Sequence, residues 1–148
     1  MNVRILPSET AGFYRYNTEI IINSDDLTQT ATNTAQTIVP FTLQIGESLE
    51  RVAWELREAF EDTADAAFNA TGMQVLLAAG SLIASTELNR NGTELFRQRF
   101  DTIQTPTVAS AFNLTFTSML AKSLVNLNKG IICVFVQVLR PGAMSQGI

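Results

Sequence analysis

"LERVAWELREAFEDTAD", residues 49–65, reads equally well as a helix and as a strand. At helical spacing Leu49, Val52, Ala53, Leu56, Ala59 and Phe60 form an apolar stripe, and the Glu, Leu, Ala and Arg content favours helix. At period two, Val52, Trp54, Leu56 and Phe60 share one face, while Arg51, Glu55, Arg57 and Glu61 occupy the other. The first reading makes an α+β domain and the second an all-β protein, so the remainder of the chain has to decide.

The flanking segments favour strands. Glu19 to Ile22 is a β-branched run that ends at the turn-forming "NSDD". In "TQTATNTAQTIVPFTLQIGES", Thr recurs before Ile38, Val39, Phe41, Leu43 and Ile45, and Pro40 places part of this strand at an edge or a bulge. Gly46 offers a turn. Met73 to Ala78 and Leu82 to Ala84 are apolar runs separated by Gly80, and Asn91-Gly92 is the strongest hairpin signal in the chain. "TELFRQRF" mixes apolar and charged positions, and "DTIQTPTVASAF" is read as a loop around Pro106. "NLTFTSML" alternates Leu114, Phe116 and, less regularly, Met119. "AKSLVNLNKG" reads as a helical turn or a hairpin, and "IICVFVQVLRP" as a central, doubly buried strand stopped by Pro141. Short β runs at this spacing predict an all-β fold, an antiparallel β-sandwich, jelly-roll-like, and make residues 49–60 a strand.

The 148 residues, 46% hydrophobic and 16% charged, suit a single domain spanning 1–148. Its expected parts are an N-terminal arm (1–17), a sandwich core (18–140) and a C-terminal tail (141–148). Net charge is −4 and the Lys and Arg residues are scattered, so no basic stripe is available for a phosphate backbone and no nucleic acid is expected as partner. The N-terminus lacks a long apolar segment and "GIICVFVQVL" is too short to span a bilayer as a helix, so a soluble chain with no membrane partner is expected. The chain has no histidine, which removes the commonest general base and metal ligand. Cys133, the single cysteine, reads as a small buried hydrophobe.

Three segments carry a resemblance: "NTAQTIVPFTLQIGESLERVAWELREAFEDTADAAFNATGMQV", "LIASTELNRNGTELF" and "LTFTSMLAKSLVNLNKGIICVFVQVL". In this order they resemble a family of small β-sandwich virion proteins of tailed bacteriophages, over about residues 28–140. The shared features are a Thr-rich lead-in to a Gly turn, an Ala-Phe-acidic corner at "AFEDTAD", and a late Gly before the closing β run. The turn after "MQVLLAAG" departs from that pattern by being short and apolar. The resemblance implies a non-enzymatic structural role, decorating or cementing the head by binding major capsid protein or other virion subunits. It also implies a homotrimer on the capsid surface, made in the host cytoplasm. A tail, neck or fibre component is the alternative, as is a carbohydrate- or receptor-binding module.

Few residues suggest chemistry. Glu58, Glu61, Asp62 and Asp65 form an acidic cluster, of which Asp62 and Asp65 could offer oxygens to calcium, but no EF-hand spacing is present and a solvated corner is the simpler reading. Glu55 and Glu61 share a strand face without a cleft, and Ser118 with Lys122 lacks the Ser-x-x-Lys spacing. No catalytic residue, metal ligand or cofactor is therefore assigned. Trp54 is read as core beside Val52 and Leu56 in preference to a sugar-stacking platform. Phe13, Tyr14 and Tyr16, in the arm, are candidate anchors into a neighbouring subunit, with a terminal strand packed on its own chain as the other reading.

Overall fold

The computed structural model describes residues 1–5, 16–89, 96–99 and 104–140. Among the described residues nine strands follow in chain order: β1 (Asn2–Ile5), β2 (Thr18–Asn23), β3 (Gln36–Leu43), β4 (Ser48–Glu61), β5 (Gly72–Leu77), β6 (Gly80–Glu87), β7 (Phe96–Arg99), β8 (Ser110–Thr117) and β9 (Lys129–Leu139). They form a five-stranded sheet in the order β1-β2-β9-β4-β7 and a four-stranded sheet in the order β3-β8-β5-β6, with every pairing antiparallel. Leaving β1 aside, consecutive strands alternate between the sheets except at the β5–β6 hairpin, which gives the double Greek-key order of a jelly roll. The predicted sandwich is therefore the observed fold.

Residues 49–65 resolve as strand through residue 61: β4 is fourteen residues long and lies between β9 and β7. Helix propensity is outweighed because β4 is hydrogen-bonded on both sides and buries Val52, Trp54, Leu56 and Phe60 against the other sheet. Its period is broken by register shifts between Leu49 and Arg51, between Leu56 and Glu58, and between Glu58 and Glu61. The last of these centres on Gly130, whose φ of +141° is open to glycine. A Cβ there would fall on the Phe60 ring and lie 2.9 Å from the Phe60 Cα. Phe60 needs that space to reach Phe116 across the core, with ring centroids 5.9 Å apart.

The closing strand β9 occupies the middle of its sheet, as its β-branched density predicted, between β2 and β4. Asn17 secures it from the start of β2, donating from Nδ2 to the Val138 carbonyl (2.6 Å) and accepting from the Val138 N–H (3.0 Å). In the other sheet β3 is an edge strand with its bulge between Ile38 and Phe41, around Pro40. Phe41 stacks on Phe112 at 4.8 Å. Gly46 has φ +88° in the turn before β4. The β5–β6 turn uses Ala78, at φ +50°, where a glycine would be the usual choice. "AKSLVNLNKG" contains a 3₁₀ turn at Leu124–Asn126, and Asn91-Gly92 lies outside the described residues.

Within the N-terminal stretch, residues 2–5 form β1, in unbroken register from Asn2 opposite Ile21 to Ile5 opposite Thr18. Tyr16 is buried against Ala53 and Phe135 of its own sheet, its ring 5.9 Å from that of Phe135. Phe13 and Tyr14 lie outside the described residues.

Candidate interaction surface

The outward faces of the two sheets differ in chemistry. On the five-stranded sheet, β2 presents Glu19, β1 presents Arg4, and β4 presents Glu55 and Arg57. Glu19 is buried beneath its partners, accepting from Arg4 (Nε at 2.8 Å, Nη2 at 2.6 Å), with Arg57 at 3.9 Å. Arg57 also lies 3.6 Å from Glu55. These pairs join β1, β2 and β4 across the intervening β9, and they leave the buried carboxylate compensated. Cys133, on the same face, is fully buried, and burial pushes its thiol up to about 11. Burial likewise pushes the Tyr16 phenol up.

The four-stranded sheet has no comparable charge. β3, β5, β6 and β8 together contain a single ionisable side chain of the Asp, Glu, Lys and Arg types, Glu87 at the end of β6. Pairing places Thr37 opposite Thr115, Thr42 opposite Ala111, Gln74 opposite Thr115, and Leu76 opposite Asn113 and Ser81, all turned away from the core. The hydroxyls of Thr37 and Thr115 bond to each other at 3.0 Å, and Gln74 donates to Ser81 Oγ at 3.0 Å. Asn113 donates to the Ala78 carbonyl at 3.0 Å, which helps to hold that positive-φ turn. The result is a neutral, hydroxyl- and amide-bearing plane whose side chains are fixed to one another. Its signal in the sequence is the lack of charge in three separated segments, which only the pairing brings together.

One end of the sandwich is braced by its long loops. Asn33 N–H donates to the Lys122 carbonyl (2.8 Å), Val125 N–H to Gln29 (3.0 Å), and Ser123 Oγ to Thr30 (2.8 Å). Asn128 ties in Thr63 by two bonds, and Lys122 Nζ reaches the Asp65 carboxylate. The acidic corner is thus committed to the loop itself: Asp62 accepts from Ala64 N–H (2.9 Å) and Asp65 from Ala67 N–H (3.0 Å). Among the described residues no group of three or more His, Cys, Asp or Glu is placed to hold a metal ion. Ser118 Oγ donates to the Lys122 backbone carbonyl (2.9 Å) while the Lys122 amine is engaged elsewhere, so the pair has no nucleophile-base geometry. Trp54 is fully buried and supplies no sugar platform.

Lys122 first, and the Ala67 N–H second, hold the Asp65 carboxyl below its ordinary value of 3.8. A lowered carboxyl stabilises the fold above the unfolded-state value and loses that contribution as pH falls through the folded-state one. Asp65→Asn is expected to melt slightly below wild type at pH 7, and the two melting temperatures to converge as the pH falls below the carboxyl's ordinary value and the group is protonated in the folded state too. A gap of unchanged size at acid pH would show that the ionised carboxylate contributes nothing.

No protein-family model matches the sequence, and no curated protein matches it. Among solved structures, the chain is similar to one described as the acidic stable capsid structure of Helicobacter pylori bacteriophage KHP30. The TM-score is 0.41 at 13% identity, and the match covers 82% of this chain and 93% of that one. Among the described residues no helix is long and apolar enough to cross a membrane.

Proposed function

We propose that this chain is a non-enzymatic structural protein of a tailed-phage particle, which decorates or cements the head by laying the neutral face of its four-stranded sheet on capsid subunits. The observation that carries this reading is the plane of β3, β8, β5 and β6, whose one ionisable side chain is Glu87 at the end of β6, set against the ion-paired plane of the other sheet. Interface centres are depleted of charge because each buried ion has to be desolvated, whereas Thr, Ser, Asn and Gln can exchange water for a partner at modest cost. Four strands of up to eight residues span roughly 19 by 26 Å, about 500 Å² in projection. With loops at its margin, that plane approaches the roughly 800 Å² per partner of a standard interface. The jelly roll, a frame that recurs in viral capsid domains, suits this use because it is built from two rigid planes. Many such contacts on one particle add by avidity.

The test is co-sedimentation of the purified chain with head shells assembled without it, on wild type and on Thr115→Arg. Thr115 lies on the second strand of the plane and half-exposed, so the arginine is expected to lower the melting temperature by no more than the loss of the Thr37 hydroxyl bond and to weaken binding at least tenfold. Binding by wild type is expected to vary little with salt, since no charge pair carries it. Wild type that ignores shells, or an arginine variant that binds as well as wild type, overturns the reading.

A further inference from the structure

We infer that β1 is a self-association strand, pairing along its outer edge, which carries no further strand among the described residues, with β1 of a second copy of this chain. Residues 1–5, "MNVRI", alternate apolar and polar. In the observed register Val3 lies opposite Ile20 and Ile5 opposite Thr18, so the odd-numbered residues point the way the core residues of β2 point. Ile20 is fully buried there, but Met1, Val3 and Ile5 remain 49%, 38% and 67% exposed. The five-stranded sheet has one strand more than the four-stranded one, and β1, at its edge, carries an apolar face that no strand of the other sheet covers among the described residues.

The edge is also unguarded. β3 has Pro40 and a bulge, β6 faces two register shifts against β5, and β7 holds two arginines in four residues. β1 has no bulge and no proline, and its one charge, Arg4, is already neutralised by Glu19. Protein edges left in this state are templates for another strand.

The occupant is a second copy because the segment is complementary to itself. In an antiparallel pairing centred on Val3, Met1 meets Ile5, Val3 meets Val3, and Arg4 meets Asn2 of the other copy. Apolar residues then face apolar ones on one side, and no like charges are opposed on the other. The contact is isologous, closes at two chains and joins the two sheets into one of ten strands. It is smaller than a standard interface, so association is expected at about 10–100 µM. It depends on β1 alone and is independent of particle binding.

Sedimentation equilibrium across that range is expected to give twice the 16.2 kDa chain mass for wild type. Val3→Lys sets two ammonium groups face to face at an exposed position, and is expected to give the single-chain mass with an unchanged circular dichroism spectrum. Val3→Cys is expected to form a disulfide-linked pair under mild oxidation. Asn2→Cys, whose mate is displaced by two residues, is expected not to. Cys133 is fully buried and does not compete. A wild-type monomer at every concentration, an oligomer of any size untouched by Val3→Lys, or equal crosslinking at residues 2 and 3 overturns the inference.

Discussion

Trp54→Ala is expected to cost about 3–5 kcal/mol, measured by urea unfolding against wild type. Trp54 sits on β4, is fully buried in the main core cluster, and lies opposite Val134 on β9. Truncation there leaves a void between two sheets whose spacing is fixed by the hydrogen-bonded strands, so little collapse can offset it. For a domain stable by roughly 5–15 kcal/mol, this loss is a third of the total or more. Trp54→Phe is the informative partner. The indole N–H is buried without a hydrogen-bond partner among the described residues. Phenylalanine keeps most of the apolar area and removes that orphan donor, so it is expected to lie within about 1 kcal/mol of wild type. As the chain has one tryptophan, its emission should be blue-shifted when folded and move to the red on unfolding. A Trp54→Ala loss below about 1 kcal/mol would be incompatible with this packing.

Gly130→Ala is expected to cost about 2–4 kcal/mol, through two causes acting at one atom. At φ +141° an L side chain is strained, and the new Cβ would overlap the Phe60 ring. The two causes separate in a double-mutant cycle. Phe60→Ala alone should cost about 3–5 kcal/mol, since Phe60 is fully buried and packs on Phe116. With both changes present the overlap with the ring is gone, while the 2.9 Å approach to the Phe60 Cα, the backbone strain and the loss of the Phe60 packing remain, so the pair should cost less than the sum of the singles by about 1 kcal/mol or more. Strict additivity would show that the backbone alone demands glycine.

The alternation of Val52, Trp54 and Leu56 with Arg51, Glu55 and Arg57 was legible as a strand, because a two-residue period survives in the chain whatever it pairs with. Its register was not legible. Three irregularities in the β4–β9 pairing shift the period, and each depends on what stands opposite, as Gly130 does for Phe60. Ala53 shows the same limit: it points outward with the charged residues yet is fully buried, because Tyr16 and Phe135 cover it. The turn at Ala78 was hidden because an alanine gives no sign of positive φ; it is held by the Ala111 carbonyl and the Asn113 amide, more than thirty residues away. The neutral plane, likewise, consists of segments each unremarkable alone, and only the order β3-β8-β5-β6 makes them one surface. The carboxylates of Asp62 and Asp65 looked available in the sequence because their acceptors' partners, the Ala64 and Ala67 amides and Lys122, are set by turn geometry and by a loop sixty residues on.

The place of β9 at the centre of its sheet has a consequence for how the molecule is made. Neither β2 nor β4 has its main neighbour until residues 129–139 have been synthesised, so on the ribosome the strands of that sheet wait, apolar faces uncovered, for the last one. Contacts that span more than a hundred residues close slowly, and the waiting chain is at its most vulnerable to aggregation in that interval. Folding of that sheet therefore waits for Lys129–Leu139, and a chain stopped before Lys129 is expected to leave β2 and β4 without the strand that joins them.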